Sequence, residues 1–247
     1  MFAAIFNKLI NMKKTLLLLL LPLLVTTSCE TNDDEVLGNQ STVRVKSIIH
    51  QDRESVISYG ANGYSTGSFE KTGDTEYETE LEYDQNNNVT SVSQYTNLIL
   101  WYRGKYTYAD NLIVKEENYR IQPFGSDIKE RVFIYDADKN LVKILLKDYD
   151  GRSYEETITY ENGNCSSITS KVVGSSDGSY RKTFRYDDKN NYKRTMYPDN
   201  YLKILFEGKN NLLQEGNSSE MIYEYNSDNY PIKITENNYI TLISYFS

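Results

Sequence analysis

Apolar and polar residues alternate along much of this chain, from about residue 56 to the C-terminus. Residues 76–83 (Glu-Tyr-Glu-Thr-Glu-Leu-Glu-Tyr) show the pattern without a fault, because glutamate occupies every second position. A period of two residues is typical of a β-strand with one buried face. Residues 84–88 then favour a turn, since Asp and Asn tolerate positive φ and bond their own backbone. Residues 89–93 return as the second strand of a predicted hairpin.

This hairpin signature recurs through the chain. Each copy has an aromatic residue, usually Tyr, followed by a polar turn and a second apolar stretch. The intervals between copies are 24, 25, 27, 25, 26, 20 and 19 residues, and steady spacing in this range indicates a repeat architecture. The repeated aromatic residues are Tyr59, Tyr83, Tyr108, Tyr135, Tyr160, Tyr186, Phe206 and Tyr225.

The repeat predicts an all-β fold, an antiparallel up-and-down meander of about eight hairpins and roughly sixteen strands. Residues 182–186 are predicted to pair with 192–196, residues 221–225 with 232–235, and no helix is predicted. A wide barrel of so many strands would leave a lumen that side chains cannot fill. We therefore expect a flattened barrel or a strongly curved open sheet, with tyrosine, leucine and isoleucine facing inward.

The N-terminus has the features of an export signal. Lys13 and Lys14 precede an apolar run over 16–25, which is shorter than the ~20 residues that a membrane-spanning helix needs. We predict a signal peptide over 1–28, with Met12 as an alternative start to Met1.

The run Val25-Thr26-Thr27-Ser28-Cys29 resembles a bacterial lipobox, in which the cysteine is lipidated and becomes the mature N-terminus. An ordinary signal peptide that contains a cysteine by chance is the alternative. One lipidated Cys29 and one leftover thiol, Cys165, account for both cysteines. The acidic stretch over 29–41 is predicted to be a flexible tether. It resembles the signal that sends some Gram-negative lipoproteins to the outer face of the outer membrane; a periplasm-facing location is the alternative.

The repeated turns resemble YD repeats, whose units read approximately Tyr-Asp-x-x-Gly-Asn-Leu, as in Rhs-type shell proteins. Tyr83-Asp84, Tyr135-Asp136 and Tyr186-Asp187 carry this resemblance. The chain resembles even more a family of secreted bacterial lipoproteins of unknown function, built from such hairpins in a porin-like antiparallel sheet. This resemblance covers about residues 56–246, and we predict a single β-hairpin repeat domain over 42–247.

Net charge excludes one class of partner. The formal charge is −8, and it becomes −11 when Lys8, Lys13 and Lys14 are removed with the leader. An acidic surface repels nucleic acid, so no nucleic-acid partner is expected. The expected membrane contact is through a lipid anchor at Cys29.

Residues able to support catalysis are few. His50 is the only histidine, no nucleophile motif accompanies it, and it is interpreted as a surface residue. Cys165 has no neighbouring base to activate it and is interpreted as a small strand residue. Carboxylate pairs such as Glu116-Glu117 are interpreted as solvated strand faces. We therefore expect neither an enzyme nor a cofactor.

One turn resembles a calcium loop. Asp136, Asp138 and Asn140 match the opening of an EF-hand loop, but Gly is missing at its sixth position and Lys147 stands at the twelfth. Turn chemistry is the simpler interpretation, and weak calcium binding is the alternative.

The densest aromatic group is the candidate ligand site: Trp101, Tyr102 and Tyr106, with Arg103. Planar rings on an exposed sheet can stack on sugars, whereas cross-strand packing is the structural alternative. The predicted function is non-catalytic binding or adhesion of a surface-anchored lipoprotein to a glycan or envelope protein. A structural or assembly component of the envelope is the first alternative. A membrane-embedded barrel is the second, and the glutamates of 76–82 oppose it because no lipid-facing apolar band is visible.

Overall fold

The computed structural model describes residues 43–51, 53–122, 125–175 and 179–246. These residues form sixteen strands in one antiparallel sheet, in the order β13 down to β1, followed by β16, β15 and β14. The predicted signal peptide, Cys29 and the acidic tether lie outside the described residues. The strands are β1 (Val45–His50), β2 (Arg53–Tyr59), β3 (Ser65–Thr72), β4 (Thr75–Tyr83), β5 (Val89–Thr96), β6 (Ile99–Ala109), β7 (Leu112–Gln122), β8 (Gly125–Tyr135), β9 (Leu141–Lys147), β10 (Ser153–Glu161), β11 (Asn164–Val172), β12 (Tyr180–Tyr186), β13 (Leu212–Glu215), β14 (Ile222–Tyr225), β15 (Pro231–Glu236) and β16 (Tyr239–Tyr245).

The sheet curls into a nearly closed barrel. β1 pairs with β2 on one side and with β16 on the other, which makes β13 and β14 the two edges of the sheet. Curling brings these two edges together. Across this seam Met221 N–H donates to the Leu213 carbonyl (2.8 Å), and the Tyr223 hydroxyl donates to the Leu212 carbonyl (2.6 Å). The predicted all-β antiparallel meander is confirmed.

Four of the repeated tyrosines, Tyr59, Tyr83, Tyr108 and Tyr135, join their strand to the preceding one. The hydroxyl of each donates to a backbone carbonyl at the start of that strand, and Tyr245 of β16 makes the same kind of bond. Such a bond satisfies a buried carbonyl while the ring packs in the core. Burial of the ring raises the pKa of Tyr135 to about 12. The bonds run from Tyr59 to Val45 (2.8 Å), Tyr83 to Ser65 (2.6 Å), Tyr108 to Val89 (2.9 Å), Tyr135 to Ile113 (2.7 Å) and Tyr245 to Pro231 (2.7 Å).

The main hydrophobic core lies inside the barrel, close to the Asp-rich and Asn-rich turns. It combines alternate residues of the strands with two residues from the connection between β12 and β13, Tyr201 and Ile204. The side chains of the strands therefore do not fill the core by themselves. The wall residues of this cluster are Leu81, Val89, Val92, Ile113, Phe133, Leu141, Ile144, Ile158 and Cys165.

The connection between β12 and β13 overturns three predictions. Tyr192–Thr195 is a 3₁₀ helix and Asp199–Ile204 is an α-helix, α1, so the expectation of no helix is wrong. β12 pairs with β13, so the predicted pairing of 182–186 with 192–196 is also wrong. Phe206 does not begin a hairpin of its own. The physical reason is the size of the lumen, which this segment fills.

Candidate functional site

The connection between β12 and β13 is an insertion into one of the repeated turns. In the ordinary turn after β4, Asn88 donates from its backbone N–H (2.9 Å) and its Nδ2 (3.1 Å) to the two carboxylate oxygens of Asp84. Asn211 makes the same two bonds to Asp187, both at 3.0 Å. Asp187 N–H also donates to the Asn211 carbonyl at 3.0 Å, as Asp84 N–H does to Asn88. The Asp187–Asn211 pair is thus one repeat turn that encloses residues 188–210.

The inserted segment, which we call the plug, closes one mouth of the barrel. It bonds to turns on several sides of that mouth, all of them at the end of the barrel where the repeat turns lie. Its helical residues Leu202 and Ile204 are each 1% exposed. The barrel therefore has a floor. The bonds are Asn200 Nδ2 to Asn88 Oδ1 (2.7 Å), Lys203 Nζ to the Lys139 carbonyl (2.9 Å), Asn190 N–H to the Asn229 carbonyl (3.1 Å) and Ser65 N–H to the Met196 carbonyl (2.8 Å).

A cavity of 740 Å³ lies against the plug, inside the barrel. Its wall contains every second residue of β12 and neighbouring positions of β11, which identifies the inner face of the sheet. The opposite side comes from β14, β15 and β16, and the floor from the plug. The volume lies in the range of small-molecule sites. The lining includes Ile168, Ser170, Tyr180, Lys182, Phe184, Tyr186, Asn191, Tyr192, Lys193, Glu207, Asn211, Glu215, Met221, Tyr223, Ile234, Glu236 and Thr241.

Each basic side chain on the cavity lining is held by a carboxylate. Lys182 Nζ lies 2.6 Å from Glu215 Oε1, and Lys193 Nζ bonds Glu207. Although burial lowers the pKa of Lys193, the charges of Tyr192 and Glu207 outweigh it, so that the pKa is raised. Both lysines of the lining are thus charged, and each is paired with a carboxylate.

Arg131, the third basic residue of the lining, bonds Glu116 on β7. Glu116 is only 2% exposed, so its interpretation as part of a solvated face is wrong. The pair lies beside the Tyr102 hydroxyl, which donates to Asn118 Oδ1 at 2.6 Å. Burial, followed by the charge of Glu116, raises the pKa of Tyr102 above its ordinary range.

The predicted aromatic site is divided between the two faces of β6. Tyr102 and Tyr106 point inward, and the Tyr106 ring meets that of Tyr201 in the plug at 5.5 Å. Trp101 and Arg103 point outward; Trp101 is 42% exposed, and Arg103 Nε donates to Ser93 at 3.0 Å. Adjacent residues of a strand face opposite sides, so these four side chains do not form one binding surface.

In the calcium-like turn, both carboxylate oxygens of Asp136 already accept hydrogen bonds from within the turn. The Asp136 carboxylate accepts from Asn140 N–H (2.8 Å) and Asn140 Nδ2 (3.2 Å). Asp138 makes no comparable side-chain bond within the described residues. Among those residues no three His, Cys, Asp or Glu side chains are grouped closely enough to hold a metal ion. The weak metal interpretation of Asp136, Asp138 and Asn140 gains no support from this arrangement.

His50 and Cys165 are both parts of the barrel wall. His50 Nδ1 lies 2.8 Å from Thr241 Oγ1, and Thr241 lines the cavity. Cys165 is a free thiol, 1% exposed, and burial raises its pKa to about 11. A protonated, enclosed thiol is a poor nucleophile.

Sequence reasoning missed the charged residues of the lumen, although a signal for three of them exists. Arg131, Glu156 and Lys182 each stand four residues before the repeat tyrosine of their own strand. An even separation along a strand places two side chains on the same face, and that tyrosine faces inward. The residues of the plug and of β14–β16 carry no such signal, because only folding brings them to the cavity.

The outer face of the barrel carries several ion pairs between neighbouring strands. Lys115 Nζ lies 2.8 Å from Glu130, and Lys171 Nζ lies 2.9 Å from Glu155. Lys143 adds a second partner for Glu155 at 3.4 Å. These pairs join neighbouring strands between β7 and β11. No helix within the described residues is long and apolar enough to cross a membrane.

Comparison with known proteins identifies the fold. A porin-like protein from Bacteroides uniformis superposes with a TM-score of 0.51 over 83% of this chain and 96% of its own, at 15% sequence identity. The chain has a porin-like fold. At this identity the likeness is one of fold alone. No protein-family model and no curated protein sequence matches the chain.

Two further similar structures are much larger assemblies. They are the Tc holotoxin pore of Photorhabdus luminescens, with a TM-score of 0.33 at 14% identity, and the TcdB2–TccC3 complex, with 0.23 at 12% identity. In both cases the match covers 74% of this chain and 11% of the chain with which it is compared. The YD-repeat resemblance and the lipoprotein family stay predictions.

Proposed function

We propose that this protein is a non-catalytic cell-envelope lipoprotein that binds a small ligand, such as a glycan fragment, in the lumen of its barrel. The observation that carries the proposal is the cavity of 740 Å³ above the plug. Its walls combine aromatic rings with charged and amide groups, the mixture that small-molecule sites use. The rings of Tyr180, Tyr192 and Tyr223 provide flat apolar surfaces of the kind on which sugars stack.

The plug argues against a diffusion channel despite the porin-like fold. Its backbone and side-chain bonds to opposite sides of the mouth leave a pocket with a floor. The ion pairs on the outer face also argue against a membrane-embedded barrel, since a lipid-facing surface needs an apolar band. Conductance across a planar bilayer is expected to be absent; stepwise conductance of the wild-type protein would contradict this part of the proposal.

Anchoring through Cys29 is the second part of the proposal. The described chain enters β1 at Val45, at the same end of the barrel as the plug, because the Tyr59 hydroxyl beside the first repeat turn bonds the Val45 carbonyl. The segment that follows the predicted anchor would therefore join the described residues at this end of the barrel. Mass spectrometry of the purified protein is expected to find a lipid-modified N-terminal cysteine, lost in Cys29→Ser.

Ligand binding is tested with paired tryptophan substitutions on β11. Ser170 lines the cavity, whereas the neighbouring Thr169 points to the outer face. A panel of oligosaccharides and envelope extracts, screened by a shift in melting temperature, should yield a ligand for wild-type protein and for Thr169→Trp. Ser170→Trp should fill the cavity and abolish the shift. Binding that survives Ser170→Trp but is lost in Trp101→Ala would place the site on the outer face instead.

An assembly component of the envelope remains the second candidate. Its supporting observation is an apolar patch at the turn between β5 and β6, where Leu98 is 81% exposed, Ile99 70% and Trp101 42%. Size-exclusion chromatography over a range of concentrations tests it. Self-association that disappears in Ile99→Ser would favour this candidate, whereas a monomer at every concentration would count against it.

A further inference from the structure

We infer that the luminal ligand carries a positive charge, as an ammonium or guanidinium group; a glycan with free amino groups is the form that best fits the aromatic lining. This inference rests on the proposed luminal binding. The geometry behind it is an excess of hydrogen-bond acceptors on the cavity wall.

The cavity wall has more carboxylates than basic side chains to pair with them. Lys182, Lys193 and Arg131 are each engaged by a carboxylate. Two further carboxylates of the lining, Glu156 and Glu236, form neither an ion pair nor a hydrogen bond with the residues that the structure describes, although Glu156 also interacts electrostatically with Lys182. A carboxylate in a partly enclosed cavity is stabilised by a cation, and the wall offers no free one.

Asn211 supplies an independent acceptor on the same wall. Its backbone N–H and its Nδ2 both donate to Asp187, which fixes the orientation of the amide because an ionised carboxylate can only accept. The residue is 3% exposed and lines the cavity. Its Oδ1 is buried without a hydrogen-bond partner within the described part of the chain. A buried amide oxygen left without a donor is unfavourable, so this wall of the cavity is short of hydrogen-bond donors here as well.

Aromatic side chains complete the match with a cation. Tyr192, Phe184 and Tyr223 line the same cavity as Glu156 and Glu236. The faces of aromatic rings attract ammonium and guanidinium groups, more strongly where water is excluded. Lys193 already lies 6.0 Å from the Tyr192 ring centroid. The same rings would stack on the apolar face of a sugar.

Calorimetric titration of the purified full chain tests the inference with three probes: the glucosamine trimer, its N-acetylated counterpart and spermidine. The two trimers share a backbone and differ in charge. The glucosamine trimer should bind at least tenfold more tightly than the acetylated one, and added salt should weaken it. Spermidine binding would show that the cation alone is sufficient; a response to the glucosamine trimer without one to spermidine would show that the sugar body is also needed.

Matched glutamine variants locate the charge. Glu156→Gln and Glu236→Gln should each weaken binding of the glucosamine trimer about tenfold, because each removes a charge-assisted bond while keeping the side-chain shape. Glu78→Gln, on the outer face of β4 opposite Phe69, is the control and should leave binding unchanged. Melting curves confirm that all variants are folded.

The outcomes separate this inference from the function on which it rests. Equal binding of both trimers, abolished by Ser170→Trp, would overturn the positive charge and keep luminal binding. Loss of binding in Glu78→Gln as great as in Glu156→Gln would overturn it as well. If none of the three probes bound while a neutral or acidic ligand from the panel did, the inference would be wrong and the proposed function would stand.

Discussion

The ordinary turn at Asp136 and the interrupted turn at Asp187 have the same hydrogen bonds around very different lengths of chain. Asp136 and Asn140 enclose three residues, 137–139, whereas Asp187 and Asn211 enclose the 23 residues 188–210. Lengthening a flexible loop by this factor costs only about 2 kcal/mol of closure entropy. Burial of one large side chain in the core contributes a comparable amount.

The comparison shows how a repeat can acquire a site. Every ordinary turn ends a hairpin at the same mouth of the barrel, so an insertion into one of them emerges where it can enter the lumen. The plug fills the part of the lumen that the wall residues leave empty and forms the floor of the cavity. The proposed luminal site therefore lies at the unit of Asp187, where the chain departs from the repeat, and not at the predicted aromatic group around Trp101.

Leu202→Ala is expected to have the largest effect on stability. Leu202 is 1% exposed in α1, and removal of a buried leucine side chain costs about 3 kcal/mol. Urea denaturation followed by circular dichroism measures the free energy of unfolding. Leu98→Ala, in the turn between β5 and β6 at the opposite end of the barrel from the repeat turns, is the control. Its side chain is 81% exposed, so the change should cost less than about 0.5 kcal/mol. Equal losses in the two variants would contradict the role of the plug in the core.

Asp187→Ala should be the next most damaging change, and more damaging than Asp136→Ala. The Asp187 carboxylate accepts from Asn211 twice, from Lys189 N–H at 3.0 Å and from the Tyr225 hydroxyl. Loss of these bonds should lower the free energy of unfolding by about 2 kcal/mol. The same denaturation measurement applies. If Asp136→Ala were the more harmful change, the interrupted turn would not be the one that anchors the plug.

The smallest effect concerns pH. The bonds from Asn140 to the Asp136 carboxylate hold the pKa of that carboxyl below its usual value. Since the folded protein binds this proton less readily than the unfolded chain, the stabilisation is present above the usual pKa of ~3.9 and is lost as the pH falls below it.

Asp136→Asn removes that contribution, and melting temperatures between pH 3 and pH 7 measure the change. The wild-type protein should melt at a higher temperature than the variant near neutral pH, and the difference should shrink below about pH 4. Asp110→Asn, at a turn where the carboxylate accepts no side-chain hydrogen bond from the described residues, is the control. A difference that grows on acidification would contradict the assignment.

The local chemistry of the sequence was sufficient for the wall of the barrel. Strict alternation in residues such as those of β4 placed Leu81 and Tyr83 inward, and the Asp and Asn residues after them defined the turns. The same alternation also implied that Trp101 and Tyr102 face opposite sides, a consequence that grouping them by chain proximity overlooked. Period and turn chemistry act over a few residues, so they are readable without the fold.

Tertiary structure alone decided the plug and the cavity. Residues 192–206 are rich in aromatic and aliphatic side chains, and a short apolar run does not distinguish a strand from a buried helix. A helix of six residues such as α1 is marginal in isolation. It forms here because the sixteen-stranded wall leaves a lumen that must be filled, and because Asn211 closes the turn that Asp187 begins. That bond spans 24 residues of sequence, beyond the reach of any local pattern.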